Sequence, residues 1–303
     1  MPRNIRPVEG AVTPAEALCF EEIAREVMVS PLYRMGKHSS PEDAPCIGTL
    51  AEKRLHAAIK RYLCPDMACH ERPVGDLVLQ TDETGDRPSK KRRMVADILC
   101  ENHIMEVQTG GFYPLRPKIA WYLTHTDCRV TVVHPIPAVK YLSWIQPTDG
   151  SVLSRHKSPK RGQVKDVSKE LYWISDFVGD PRFSLRILLL ELEEYRMADG
   201  WSRDGKRGSN RYERFPTALL GDVTLATASD YASYFLPSSL AAPDATGACP
   251  PFTASAYAKA TGIRGRATYS LIHLMERLGL VEATGDMAGR SRTYRVINSA
   301  ELR

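Results

Sequence analysis

The sequence predicts an α/β fold in which helices pack on a mixed central sheet, followed by a separate C-terminal unit. Three observations support this prediction. Apolar residues recur at helical spacing over 49–63, two apolar runs flank a polar turn over 94–109, and a helix-like and then a strand-like pattern follow up to residue 134. The order helix, three strands, helix, strand is typical of a compact mixed α/β unit.

The chain begins with an N-terminal arm, residues 1–46, in which Thr13 and Pro14 mark the start of a short capped helix. The first helix of the α/β unit is predicted over 49–63. Glu52 and His56 lie one turn apart beside its apolar stripe, and the dipeptide Cys64-Pro65 ends it. The stripe itself comprises Ala51, Leu55, Ala58, Ile59 and Tyr62.

After an extended segment at 71–81, residues 94–109 predict a β-hairpin with its turn at 101–103. Glu106 and Gln108 share one face of the second strand, and Asp97 can meet them across the hairpin. Two carboxylates and an amide suit Mg²⁺ or Mn²⁺, and a metal held in this way can activate water for attack on a phosphodiester.

Most acidic residues in hairpins are solvated surface groups, and this is the alternative to a metal site. The flanking residues argue against it, because Ile104, Met105 and Val107 make the strand of Glu106 look interior. A carboxylate on an interior strand needs a partner or a metal ion.

The α/β unit is predicted to occupy residues 47–145. Its second helix, 114–125, carries Lys118, which is either a solvated lysine or a group that approaches a substrate phosphate. The nearly wholly apolar run 129–134 is typical of a buried parallel strand. An accessory segment of residues 146–225 follows, and the elements predicted around it are a strand at 139–145, a basic loop at 154–162, a helix at 165–178, a strand at 183–195 and a polar loop at 199–214.

The basic loop contains the sequence Ser158-Pro-Lys-Arg-Gly162, for which two interpretations are equally open. One is a solvated loop. The other is a phosphate clamp in which Lys160 and Arg161 supply charge and Gly162 permits close approach of the backbone.

Residues 226–303 are predicted to form a linker and a second domain. A Pro-, Ala- and Gly-rich linker at 237–251 precedes two helices, 252–260 and 265–278, and two strands, 279–284 and 292–297. This order is that of a winged helix-turn-helix. DNA contacts are expected on the second helix and the wing, and protein contacts are the alternative; the residues concerned are Arg264, Arg266, Ser270, His273, Arg277, Arg290 and Arg292.

Composition sets limits on the function. The chain has 303 residues and a net charge of +5, which permits a polyanionic partner without requiring one. It has no apolar run of 18 residues and its N-terminus lacks the apolar core of a signal peptide, so a cytoplasmic protein without a membrane span is expected. Of seven cysteines, Cys64 and Cys69 with His70 form a cluster that lacks a matching downstream half, so a structural zinc is not expected.

The element order and the residues Glu52, Asp97 and Glu106-x-Gln108 resemble the PD-(D/E)XK, or restriction-endonuclease-like, nuclease superfamily. More narrowly, the chain over about 48–297 is similar to an uncharacterised bacterial family that joins such a core to a winged helix; the matching segments are 51–62, Glu106-Val-Gln-Thr109, 158–162 and the C-terminal unit. The resemblance implies that Asp97, Glu106 and Glu52 hold the metal, that Gln108 positions the nucleophile, and that Lys118 approaches the scissile phosphate.

One difference from the superfamily leaves two functions to consider. Most members have a lysine where this chain has Gln108, which can hydrogen-bond water but carries no charge. The expected function is a metal-dependent DNA endonuclease delivered by the winged helix, and the alternative is a non-catalytic DNA-binding regulator with a degenerate nuclease fold. The preference for DNA or RNA and the formation of a homodimer stay open.

Overall fold

A computed structural model describes residues 10–29, 54–78, 91–146, 151–197, 211–243 and 249–297. The fold is mixed α/β, as the sequence predicts, with one large sheet and a second, three-stranded sheet near the C-terminus. No helix within these residues is long and apolar enough to cross a membrane.

The first two helices pack against each other and against the large sheet. They are α1 (Pro14–Val29) and α2 (Arg54–Leu63). Thr13 caps α1 through a reciprocal pair of hydrogen bonds with Glu16, as the sequence predicts. Phe20 of α1 meets Tyr62 of α2 edge to face. Apolar side chains of both helices are buried in one core with strand residues, including Leu55, Ile59, Ile98, Met105, Val107, Leu188, Leu190 and Leu219.

The large sheet has seven strands within the described residues. Six follow the order β1-β2-β3-β4-β6-β7, and β5 pairs with β4. The first three are antiparallel neighbours with a two-residue turn at Glu101 and Asn102, where the sequence places the hairpin. The bounds are β1 (His70–Val78), β2 (Lys91–Cys100), β3 (His103–Val107), β4 (Arg129–Ile145), β5 (Val152–Lys157), β6 (Phe183–Met197) and β7 (Arg211–Leu225).

The structure corrects the predicted strands in three places. The two strands expected at 129–134 and 139–145 are one strand, β4, which continues through Pro135 and Pro137 because Ile136 and Ala138 between and after them are buried. The first half of the predicted basic loop is the exposed strand β5, which pairs with β4 through backbone hydrogen bonds that do not depend on apolar side chains. Strand β7 was not expected, and it begins within the predicted polar loop, of which 199–210 lies outside the described residues.

Two further helices lie between the strands, α3 (Arg116–His125) and α4 (Ser168–Ile174). The predicted helix at 165–178 is therefore shorter, beginning with a 3-10 turn at Val164–Val167. Trp121 of α3 is buried and stacks on His125. Arg182 binds the carbonyl oxygens of Leu123 and Thr126, so it closes the end of α3.

The C-terminal part contains more helix than the sequence predicts. Helix α5 (Ala228–Phe235) precedes the predicted linker, and a capping box of Thr227 and Asp230 fixes it. Helix α6 (Ser238–Ala241) lies at the start of that linker. After the strand β8 (Phe252–Thr253), which was not predicted, the remaining elements lie close to the predicted positions: α7 (Ala254–Thr261), α8 (Arg266–Arg277), β9 (Val281–Ala288) and β10 (Ser291–Val296). The three strands form the small sheet in the order β8-β10-β9.

The chain divides into two compact units, each built from three stretches of sequence. The first comprises 1–109, 132–163 and 187–223, and the second comprises 110–131, 164–186 and 224–303. Helices α3 and α4 thus belong with the C-terminal residues, a division that cuts across the contiguous domains expected from the sequence.

Candidate functional site

The turn between β2 and β3 sets the position of the two acidic residues that the sequence singles out. Ile98 lies opposite Met105, and Leu99 lies opposite Ile104. This ladder ends at the pair Ile98–Met105, and Asp97 and Glu106 are the next residues along their two strands. We call these two residues the acidic pair. Their encounter across the hairpin stays a prediction.

Asp97 is held by two hydrogen bonds to one carboxylate oxygen. Its Oδ2 accepts from the backbone N–H of Val107 at 2.8 Å and lies 3.2 Å from Nε2 of His56. Because an ionised carboxylate can only accept, His56 donates from Nε2. The side chain of Asp97 is 18% exposed, so the carboxylate is anchored yet reachable from solvent.

Glu106 is the more deeply buried member of the acidic pair. It is 2% exposed and stands in a strand whose other residues from Ile104 to Val107 are also buried. The predicted interior position of this carboxylate is therefore correct. Removing a carboxylate from water is unfavourable unless other groups compensate for its charge, so burial makes Glu106 a candidate site residue.

Gln108 follows β3 directly, and its backbone is fixed on both sides. Its N–H donates to the carbonyl oxygen of Val133 at 2.8 Å, and its own carbonyl accepts from Nδ1 of His134 at 2.6 Å. The side chain is half-buried. The end of β3 is thus a rigid platform for the amide that the sequence places at the site.

Helix α2 contributes two residues to this region. The ring of His56, which the sequence places beside the apolar stripe of this helix, contacts Asp97. Lys60, one turn further along α2, is 2% exposed and its Nζ binds Oε1 of Glu71 at 2.5 Å. Sequence reasoning missed Lys60; the available signal was its four-residue spacing from His56 on the same helix face.

Two predicted site residues cannot be placed beside the acidic pair. Glu52, the third predicted metal ligand, lies outside the described residues. Lys118 belongs to α3 in the second compact unit, where its ammonium lies 6.0 Å from the ring centre of Tyr122. The convergence of three carboxylates stays a prediction.

The loop 158–162 is anchored rather than loose. The N–H groups of Ser158 and Gly162 donate to the carbonyl oxygens of Lys140 and Pro137 in β4. A Cβ on Gly162 would lie 2.5 Å from the Pro137 oxygen, so only glycine fits this close approach. Lys160 and Arg161 are exposed at its tip.

A second cationic feature lies in the C-terminal part. An open groove of the second unit runs between the start of α8 and the β9–β10 hairpin. It presents Arg290 and Arg292, together with Tyr269, which is 64% exposed. Neither arginine makes an ion pair within the described part of the chain. We call this feature the basic groove; its full lining is Ala254, Ser255, Ala258, Gly265, Thr268, Tyr269, Arg290, Ser291, Arg292 and Tyr294.

The other predicted DNA-contacting residues fall into two groups. Arg264, Arg266 and His273 are exposed and Ser270 is half-buried, on or beside α8. Arg277 instead binds Oδ1 of Asp176 at 2.7 Å, and the ion pairs from Arg277 and Arg116 lower the pKa of that carboxyl group. The guanidinium of Arg277 thus joins the end of α8 to the residues that follow α4.

A cluster of three thiols lies at the far end of β2, and the sequence did not predict it in this form. Cys64 follows α2, Cys69 ends a 3-10 turn, and Cys100 ends β2. Their sulfur atoms all lie within 4.8 Å of one another. We call this set the cysteine trio. Hydrogen bonding with Cys100, together with desolvation and Cys64, raises the pKa of the Cys69 thiol to about 12.

The family and the relative that match this chain have no stated activity. A protein of Treponema pallidum (strain Nichols), described as "Uncharacterized protein", is 26% identical over 169 residues, which cover 55% of this chain and 57% of that protein. No solved structure matches the chain. The family described as "Domain of unknown function (DUF8091)" matches residues 53–226, a range that includes the acidic pair, the cysteine trio and the loop 158–162. Because this match covers more than half of the chain, the protein belongs to that family.

Proposed function

We propose that the protein is a metal-dependent nuclease that hydrolyses phosphodiester bonds in DNA. The observation that carries the proposal is the acidic pair itself. Asp97 is locked by the Val107 N–H and by His56, and Glu106 is buried in the adjacent strand β3. Two carboxylates in opposite strands, one fixed and reachable and one buried, form a donor set suited to a small divalent cation.

The residues of the site have distinct tasks in this proposal. Asp97 and Glu106 would hold Mg²⁺ or Mn²⁺, which when bound polarises the scissile phosphate and lowers the pKa of water. His56 is a positioning residue, because it fixes the orientation of the Asp97 carboxylate. Gln108, on its rigid backbone, orients the attacking water by hydrogen bonding.

Lys60 is a cation one turn along α2 from His56, and its Nζ binds Oε1 of Glu71. The resemblance to PD-(D/E)XK nucleases implies a lysine two residues after the glutamate, where this chain has Gln108. Lys60 is nearly fully buried on the helix that also presents His56 to Asp97. We propose that its charge stabilises the negative charge that develops on the phosphate, a contribution that glutamine cannot make.

The basic groove is proposed to dock DNA as part of a winged helix-turn-helix. Helices α7 and α8, followed by the β9–β10 hairpin, have the element order of that motif. Arg290 and Arg292 are exposed cations without ion pairs in the described chain, and the exposed Tyr269 offers an aromatic face beside them. Such groups contact phosphates and sugars, which supply most of the affinity of non-specific DNA binding.

The catalytic proposal is tested by incubating the full-length protein with linear, nicked and single-stranded DNA and with matched RNA, in Mg²⁺ or Mn²⁺. Glu106→Gln and Asp97→Asn keep the side-chain shapes and remove the charges. We expect cleavage by the wild type and a loss of about 100-fold or more in each variant. Glu101→Gln, in the exposed turn of the same hairpin, is the matched control and should cleave normally. Equal silence of the wild type and Glu106→Gln on all substrates would exclude catalysis.

DNA docking is tested separately by fluorescence anisotropy at several salt concentrations. Arg292→Ala should weaken binding and lower the slope of log affinity against log salt by about 0.9, the value for one lost phosphate contact. Arg295→Ala is the matched control, because this arginine lies on the same strand but is bound to Glu282. Unchanged binding by Arg292→Ala and Arg290→Ala would contradict the docking role of the groove.

A second candidate function is a DNA-binding regulator that has kept the nuclease-like fold without catalysis. The observation in its favour is Gln108, which removes the charged group expected beside the glutamate. This candidate predicts that DNA affinity is unchanged in Asp97→Asn and Glu106→Gln and falls only with changes in the basic groove. Cleavage by the wild type in the assay above would exclude it.

A further inference from the structure

The cysteine trio has the composition and spacing of a metal site. Its three sulfur atoms lie within 4.8 Å of one another, although they come from three different segments of the chain. Zinc binds thiolates at about 2.3 Å, which places tetrahedral sulfur ligands about 3.8 Å apart. Side-chain rotations that shorten each sulfur–sulfur distance by at most about 1 Å would therefore bring the sulfurs to their positions around one ion.

An oxygen donor stands beside Cys69, although it does not lie within 4.8 Å of all three sulfur atoms. Oδ2 of Asp66 lies 3.8 Å from Sγ of Cys69, while Oδ1 accepts from the N–H of Ala68 and so fixes the carboxylate. A sulfur and a carboxylate oxygen bound to the same zinc lie about 3.6 Å apart. His70 is not aimed at the trio in this way, because its Nε2 bonds the carbonyl oxygen of Cys64 at 2.8 Å.

The surroundings allow a metal ion to reach the trio. Cys64 is 6% exposed, and Cys69 and Cys100 are half-buried. A shallow surface depression, lined by Ala68, Cys69, Arg72, Leu99 and Glu101, opens beside them. The trio thus combines an inner sulfur with two that solvent can approach, as a metal that enters from solution requires.

We propose that Cys64, Cys69 and Cys100 bind one Zn²⁺ as thiolates, with Asp66 as the fourth ligand. Binding forms three Zn–S bonds and one Zn–O bond, and the three thiol protons pass to solvent. No oxidation or reduction is involved. Sulfur ligands select Zn²⁺ over Mg²⁺, so this site is chemically separate from the acidic pair and the proposal does not rest on nuclease activity.

The zinc would join three segments that the chain brings together only by folding. Cys64 follows α2, Cys69 precedes β1, and Cys100 ends β2. A structural ion at this point fixes the end of α2 against the β1–β2 ladder, and α2 is the helix that presents His56 to Asp97. The function assigned to the site is therefore structural support for the helix at the acidic pair.

The test is a titration of the reduced, metal-free, full-length protein with Co²⁺ and then Zn²⁺. Co²⁺ should give the thiolate-to-cobalt charge-transfer band and the intense visible bands of a tetrahedral site, at one ion per chain, and Zn²⁺ should displace it. Cys64→Ser, Cys69→Ser and Cys100→Ser should each lose at least about 100-fold in zinc affinity. This is more than is typical when a group that hydrogen-bonds a metal ligand is lost. Cys128→Ser, another half-buried cysteine, is the matched control and should bind normally.

Two readouts on the wild type keep the test valid if a variant fails to fold. Zinc should protect three of the seven thiols from a thiol reagent, and it should raise the melting temperature. Asp66→Asn should weaken zinc binding and change the visible cobalt spectrum, and an unchanged spectrum would overturn its role as fourth ligand. Absence of the charge-transfer band, protection of none of the thiols, or normal binding by Cys69→Ser would overturn the site.

Discussion

Two positions of strand β2, three residues apart, carry opposite chemistry. Asp97 is held by a backbone N–H and by a histidine and presents oxygen ligands. Cys100, the last residue of the strand, joins a group of three thiols and presents sulfur. Helix α2 reaches both positions, with His56 at Asp97 and Cys64 directly after its last turn. One strand and one helix therefore frame two sites that select different metals.

The difference shows what a short stretch of sequence can and cannot encode. The acidic pair belongs to two strands joined by a two-residue turn, so the pairing of those strands follows from local pattern alone. The cysteine trio depends on the pairing of β1 with β2, which starts with His70 opposite Ile98 and brings Cys69 and Cys100 to the same end of the ladder. Contacts that require such pairing are invisible in the spacing of the cysteines.

The largest expected effect is that a substitution at either site disables that site and leaves the other working. Glu106→Gln should lower Mg²⁺-dependent DNA cleavage by about 100-fold or more while zinc still protects three thiols. Cys69→Ser should abolish zinc binding while most of the cleavage remains, because sulfur takes no part in binding Mg²⁺. Cleavage assays and thiol counting on the same protein preparations measure both quantities.

The result that would contradict this separation is specific. If Cys69→Ser lost cleavage as completely as Glu106→Gln while its circular dichroism and melting temperature matched those of the wild type, the thiols would belong to the catalytic site. The proposal of two independent metal sites would then fail.

The second prediction concerns pH. The pKa of the Cys69 thiol is raised from 9.0 to about 12 in the metal-free protein, so a proton must leave as zinc binds and zinc affinity should rise with pH throughout the range below 12. Competition titrations with Zn²⁺ at several pH values measure this dependence. Zinc affinity that is flat with pH would contradict thiolate ligation.

Much of the fold is predictable because it follows from local patterns. The spacing of Leu55 and Ile59 predicts α2, and the apolar runs around Glu101 and Asn102 predict the hairpin. The errors arise where long-range pairing overrides composition. Two prolines suggested a break in β4, and the charged residues at the start of β7 suggested a loop, yet pairing with neighbouring strands keeps both in the sheet.

The same contrast between local and long-range contacts applies to the residues of the candidate site. Asp97 and Glu106 were found because they lie nine residues apart in one hairpin, whereas the partner of Asp97, His56, comes 41 residues earlier. Lys60 was missed because a lysine on an amphipathic helix is ordinarily solvated. Its burial follows from the docking of α2 on the sheet, which the helix sequence alone does not encode.

A third prediction tests whether zinc binding at the cysteine trio depends on the overall stability of the fold. Gly162→Ala places a Cβ 2.5 Å from the Pro137 oxygen and 2.6 Å from Cγ2 of Ile136, so the backbone must shift. We expect unfolding free energy to fall by about 1–3 kcal/mol, measured by urea denaturation. The zinc affinity of the folded variant should equal that of the wild type. A matching loss of zinc affinity would show that the trio follows overall stability rather than local geometry.

The smallest expected effect is a coupling, through α2, between the cysteine trio and the acidic pair. Zinc at the end of α2 restricts the helix, and His56 on that helix orients Asp97, so zinc loading should raise Mg²⁺-dependent cleavage by less than about fivefold. In His56→Ala the Asp97 carboxylate loses its contact with α2, so cleavage should fall and the response to zinc should vanish, while zinc affinity is retained. Persistence of the zinc response in His56→Ala would place the coupling in β2 itself, because that strand is the second covalent path between Asp97 and Cys100.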